Sequence, residues 1–167
     1  MRSRVRCEDG TLARRGREAN PIGFSHEPKF MPSLSTQPPL NRWLVAAGIY
    51  NLLWGAWVVL APDALFGMVG MDPLTGPGRG IWQCLGMVIG VYGIGYLCAA
   101  RDPVRHWPIV LVGFLGKIFG PIGFLWTASR GEIPWTFGVT IPTNDLLWWI
   151  PFALMLRSAW RANRPGL

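Results

Sequence analysis

The sequence predicts an all-α integral membrane protein, a four-helix up-down bundle with both termini on the cytoplasmic side. Three observations predict it. Four apolar segments each approach the roughly 20 residues that a helix needs to cross the hydrocarbon. The composition is 50% hydrophobic with 10 Trp and 21 Gly, residue types used at membrane interfaces and between transmembrane helices. The Lys and Arg residues crowd one end of the segments, as the positive-inside rule describes. A soluble reading fails because four such segments in 167 residues leave no polar outer layer. The length suits one domain.

Residues 1–41 are polar, Arg-rich and interrupted by proline, without a periodic apolar pattern, so they read as a disordered basic tail. The first apolar run begins near Trp43 and is too long for a signal-peptide core. Met31 is a plausible start, which would make the preceding residues an over-extended reading frame.

The membrane domain spans residues 42–157, with helices expected at about 43–61, 80–100, 107–128 and 137–156, followed by a basic tail over 158–167. The segment from Pro62 to Met71 is apolar but too short to cross. It is expected either as a short interfacial helix or as a lid over the bundle. Pro73, Gly76, Pro77 and Gly78 then form a turn into the second span.

Charge sets the orientation. Residues 1–42 carry eight of the 16 Lys and Arg. Arg101, Arg105 and His106 between the second and third spans fall on the same side, as do Arg157, Arg161 and Arg164. The opposite side has only Arg79 and Arg130, beside Asp63, Asp72 and Glu132. This places both termini on the cytoplasmic side of the cell membrane. Trp43, Trp107 and Trp160 then mark the inner interface and Trp82, Trp126 and Trp135 the outer one. The lipid bilayer is thus the first expected partner. The net charge of +7 reads as topology and not as nucleic-acid binding, because no basic stripe is interleaved with stacking aromatics.

Glycine spacing marks the helix faces expected to meet. Gly86, Gly90 and Gly93 recur along the second helix, and Gly113, Gly116, Gly120 and Gly123 along the third. Small residues on one stripe let helix backbones approach closely. Such seams also suit a homodimer or a larger membrane complex.

Lys117 stands in the middle of the third apolar segment. A charge at that depth costs about 2.5–3.5 kcal/mol on insertion scales. It is therefore the leading candidate for a functional group. It shares the stripe of Gly113 and Gly120. Asp145 enters from the opposite side within reach of a lysine side chain and is the expected counter-ion. Asn51, Asn144 and Gln83 complete the polar network expected inside the bundle. Pro121 removes the helical donor for the carbonyl four residues earlier, which belongs to Lys117, so a kink and a free acceptor are expected beside the charge. Two uses of the network stay open: an ion pair that fixes helix register, or a site for a ligand.

Other chemistry has less support. Cys84 and Cys98 lie 14 residues apart on one helix, roughly 21 Å along its axis and beyond disulfide reach. Cys7 is in the tail. No metal-ligand pattern is present, and His26 and His106 cannot form an axial haem pair inside the membrane, so no metal or cofactor is expected. Tyr92 and Tyr96, four apart, read as a packing pair.

Five blocks carry a family resemblance: Ile49 to Gly55, Ile81 to Met87, Arg101-Asp102-Pro103 with His106-Trp107-Pro108, Gly116 to Gly123, and Asn144 to Phe152. Over residues 43–156 they resemble a family of small bacterial membrane proteins of uncharacterised function, whose members often carry the label alkyl hydroperoxide reductase. Helix count and segment lengths also resemble DoxX-like four-helix membrane proteins. The resemblance implies the membrane class, and its label implies a redox accessory role in which Cys84 would be the reactive group. Three functions therefore follow as expectations. The first is a non-enzymatic module with a polar ligand or partner site around Lys117. The second is the redox accessory. The third is a structural subunit of a membrane complex.

Overall fold

A computed structural model describes residues 38–163. The tail ahead of Pro38, with Cys7, His26 and the start at Met31, lies outside them, as does Arg164. The described chain is helical throughout. It comprises α1 (Pro38–Leu60), α2 (Ala64–Met68), α3 (Gly76–Ala99), α4 (Trp107–Ser129), a 3-10 helix (Trp135–Thr140), a π-helix (Pro142–Leu146) and α5 (Leu147–Ala162). No strand occurs among the described residues.

Three helices are long and apolar enough to cross a membrane: α1 over Leu40–Leu60, α3 and α4. Their outward surfaces agree with that reading. Leu53, Leu60, Ile81, Val91, Ile94, Phe119, Ile122 and Trp126 are all exposed. Contiguous apolar surface on this scale is costly in water and at ease in hydrocarbon.

α4 starts at Trp107 as its hydropathy boundary predicts, whereas α1 and α3 start earlier than theirs. α1 begins at Pro38 and so takes in residues 38–41, which composition assigned to the tail. α3 begins at Gly76 with Pro77 in its first turn. Proline is tolerated there because the first helical N–H groups have no intrahelical acceptor. Gly76 has φ +53°, a left-handed conformation that favours glycine, and it takes the turn directly into the helix.

α1 packs along α3, and glycines make that approach possible. A Cβ on Gly93 would lie 2.7 Å from the carbonyl oxygen of Gly48, and one on Gly55 would lie 2.9 Å from the amide nitrogen of Gly90. Backbone thus meets backbone, and any side chain would force the helices apart. At the end of α1, the Gln83 amide donates to the Val59 carbonyl at 3.0 Å. That carbonyl is among the last four of the helix and has no intrahelical donor.

The main core lies towards the other end. Leu44, Ala47, Tyr96, Ala99, Val110, Trp148, Phe152 and Met155 are buried there. Tyr96 meets Phe152 edge-on with ring centroids 5.2 Å apart. Beyond α1, α2 buries Leu65 and Phe66. Phe66 packs against Trp82 at 5.3 Å and Phe137 at 6.2 Å. The short segment is therefore a helix that also covers part of the bundle.

The fourth apolar segment is not one α-helix. Pro142 has no N–H to give, so a regular ladder cannot run through it. The chain instead makes a 3-10 turn and then a π turn, in which the Leu147 amide donates to the Pro142 carbonyl five residues back. Only from Leu147 does it continue as α5. π turns of this kind widen a helix locally and recur at functional sites.

Candidate functional site around Lys117

Lys117 is buried, at 6% exposure, and Asn51 and Asp145 are equally enclosed at 4% and 7%. They meet in a cleft of about 310 Å³ whose walls come from α1, α3, α4 and the π turn. Asn144 lines it as well, with Tyr92 and Tyr96 from α3. Four of the five polar residues expected in one network are thus brought together.

The fifth is not. Gln83 is outside the cleft lining and is engaged with Val59. Its position near the start of α3 puts it level with the end of α1, where an orphan carbonyl needs a donor.

The contacts of Lys117 also differ from expectation. Its ammonium donates to the main-chain carbonyl of Asn144 at 2.6 Å, and it lies 5.7 Å from the centroid of the Trp148 ring. No direct ion pair with Asp145 forms. Among the described residues, ion pairs join only Arg79 to Asp63, at 3.0 Å, and Arg130 to Glu132, at 2.7 Å. The π turn explains the change of partner. Its hydrogen bonds run five residues back, so neighbouring carbonyls fall out of register with the amides of α5 and accept side-chain donors. Asn144 takes Lys117, and Thr143 takes the Trp148 indole at 2.9 Å.

The carboxylate of Asp145 faces Gly120 instead. A Cβ on Gly120 would lie 3.5 and 3.6 Å from its two oxygens. Gly113 makes room for another cleft residue, since a Cβ there would collide with the Tyr96 hydroxyl. Gly116 and Gly123 have nothing against them. The expected α4 seam is therefore not a backbone-to-backbone contact. Gly113 leaves the room that Tyr96 occupies, whereas a Cβ on Gly120 would make only ordinary contact with Asp145, which is a correction to the packing role read from their spacing.

Pro121 behaves as its chemistry requires. α4 runs through it, and the carbonyl of Lys117 lacks its helical donor. The indole of Trp149 supplies one at 3.0 Å. Lys117 is thus held from both ends, its carbonyl by Trp149 and its ammonium by Asn144. Pro121 signalled an acceptor in need of a donor. Which tryptophan would answer could not be read from spacing.

Asn51 is the group left over. Its Oδ1 is fully enclosed and has no hydrogen-bond partner. An unpartnered buried polar atom costs on the order of 1–3 kcal/mol. Tyr50, its neighbour, donates its hydroxyl to Thr143 at 3.3 Å and packs on Trp148 at 5.5 Å, which links α1 to the π turn.

A second cleft, of about 370 Å³, adjoins the first. The two share Leu85, Ile89, Gly120, Asn144 and Asp145, so the Asp145 side chain forms part of the wall of both. Sequence reasoning did not foresee this second space.

Cys84 lines neither cleft and is exposed on α3. It also lies more than two turns into the helix, since α3 starts at Gly76. The favourable field of a helix N-terminus falls off within the first turn. Comparison of the chain with protein-family models, with curated proteins and with solved structures returned no match.

Proposed function

We propose that this chain is a four-span membrane protein with cytoplasmic termini that binds a small molecule with an anionic head in the Lys117 cleft. Three spans correspond to α1, α3 and α4, and the fourth would combine the π turn with α5. One observation carries the reading. Lys117 is buried in a cleft that Asp145 also lines, with no side chain in ion-pair contact with it, and the unpartnered Asn51 Oδ1 beside it is an acceptor that calls for a donor, such as a hydroxyl, on the same ligand. A cation at membrane depth is costly unless something neutralises it, and an anionic head on Lys117 would do so. A volume of about 310 Å³ suits a small ligand, at the lower end of small-molecule sites.

Native mass spectrometry of the protein from mild detergent tests this. The wild type is expected to carry a bound mass that Lys117→Met loses and Asn51→Leu weakens. A folded wild type that carries no adduct after extraction from its own membrane, or an adduct retained in Lys117→Met, defeats the proposal.

A further inference from the structure

The second cleft has a chemistry of its own. Trp54, Trp82, Phe124 and Phe137 line it, and Asp145 is its one charged lining residue. Lys117 is not in this wall. Trp82 and Phe137 stand 6.1 Å apart in a T-shaped pair with their planes at 67°. The Thr127 and Thr140 hydroxyls also line the space, each already donating to a main-chain carbonyl of its own helix. They present acceptor lone pairs to the interior.

Each of these features favours a cation with an organic surface. Aromatic faces carry negative potential and attract ammonium groups, most strongly when water is excluded. A carboxylate without a basic partner in ion-pair contact supplies the counter-charge, and none of the described Lys or Arg residues is within that distance of Asp145. A small metal ion is better held where several carboxylates converge, and no group of three or more His, Cys, Asp or Glu occurs among the described residues. The size and apolar walls suit an alkylammonium.

We propose that the aromatic cleft is a binding site for an organic ammonium ion, held by Asp145 and by cation–π contact with Trp82 and Phe137. The site differs from the anion site in charge and in walls, and it shares with it the Asp145 side chain.

Equilibrium dialysis of the purified protein in mild detergent against radiolabelled tetraethylammonium tests the site, with empty micelles subtracted. Saturable binding is expected, weakened at least tenfold in Asp145→Asn and several-fold in Trp82→Leu. Lys117→Met should bind the probe as well as the wild type or better, because it removes a neighbouring positive charge. Circular dichroism establishes that each variant is folded. A variant that does not fold is replaced by Phe137→Leu, for which the same several-fold loss is expected. Absence of saturable binding to the folded wild type overturns the proposal, as does unchanged binding in Asp145→Asn. The Lys117→Met arm separates the two sites: it removes the anionic adduct and leaves the ammonium.

Discussion

Glycines at three- and four-residue spacing occur on both α3 and α4, and the two rows do opposite things. On α3, Gly86 and Gly93 together with Gly48 and Gly55 of α1 bring two backbones into contact, a Cβ on Gly86 lying 3.0 Å from the Gly55 carbonyl oxygen, although a Cβ on Gly90 would itself meet nothing. On α4 they face side chains or nothing. One row closes an interface and the other opens a cleft. The difference lies in the opposing element. α1 offers small residues at matching heights, so the helices interlock. α4 is opposed by Tyr96, which needs the space at Gly113, and by the Asp145 side chain, which lies at ordinary contact distance from Gly120. A small-residue stripe therefore states that something approaches closely, without stating whether it is a backbone or a polar side chain.

The first way to break this comparison is to fill the closed row. Gly55→Leu would drive its side chain into Gly86 and Gly90, both main-chain neighbours that cannot swing aside. Overpacking of a tight core costs about 1–3 kcal/mol and occasionally more, and here the whole α1–α3 contact must widen. The expected result is a loss of about 3 kcal/mol, or failure to accumulate in the membrane, read by thermal or denaturant unfolding in detergent. A stability within about 0.5 kcal/mol of wild type, the range of surface changes far from any packed feature, would mean that α1 and α3 are not in contact as described.

The second concerns how the open row is supported. Trp149→Phe removes the donor to the Lys117 carbonyl and should cost about 1–3 kcal/mol, the penalty for an unsatisfied buried acceptor. Pro121→Ala restores a backbone N–H at the position from which that carbonyl would normally be served. In the Pro121→Ala background, Trp149→Phe should therefore cost clearly less. Equal costs in the two backgrounds, measured as a double-mutant cycle, would show that the indole is merely packed there and that the carbonyl finds another partner.

Much of this site was legible in the residues. Lys117 announced itself through the cost of its charge, and Pro121 through the carbonyl it leaves behind. Asn51 and Asp145 were expected in the Lys117 network, and both line its cleft. The three longest spans were plain from hydropathy alone. What failed did so for physical reasons. Gln83 was expected in the Lys117 network, whereas an unmet carbonyl at the end of α1 determined its contact. The Lys117–Asp145 pair was inferred from opposite charge, yet the π turn offered a main-chain acceptor at 2.6 Å first. Non-standard turns depend on how neighbouring segments compete for hydrogen bonds, and a hydropathy pattern carries no record of that competition. Cys84 looked close to a helix start until Pro77 placed the start a turn earlier.

The smallest expected effect is also the sharpest discriminator between the two rows. Gly116 lines the Lys117 cleft and has no atom within 4 Å of where a Cβ would sit. Gly116→Ala adds one methyl group to open space and removes the conformational freedom of glycine in a helix interior, worth roughly 0.5–1 kcal/mol. Stability should therefore stay level or rise by up to about that amount. The same methyl narrows the anion cleft, so the adduct expected in native mass spectra should weaken while the unfolding midpoint does not fall. A closed seam would give the reverse pattern, a destabilised protein with no specific change in its ligand, because there the methyl would meet the backbone of a partner helix. Measuring both quantities on one variant decides which kind of row α4 carries.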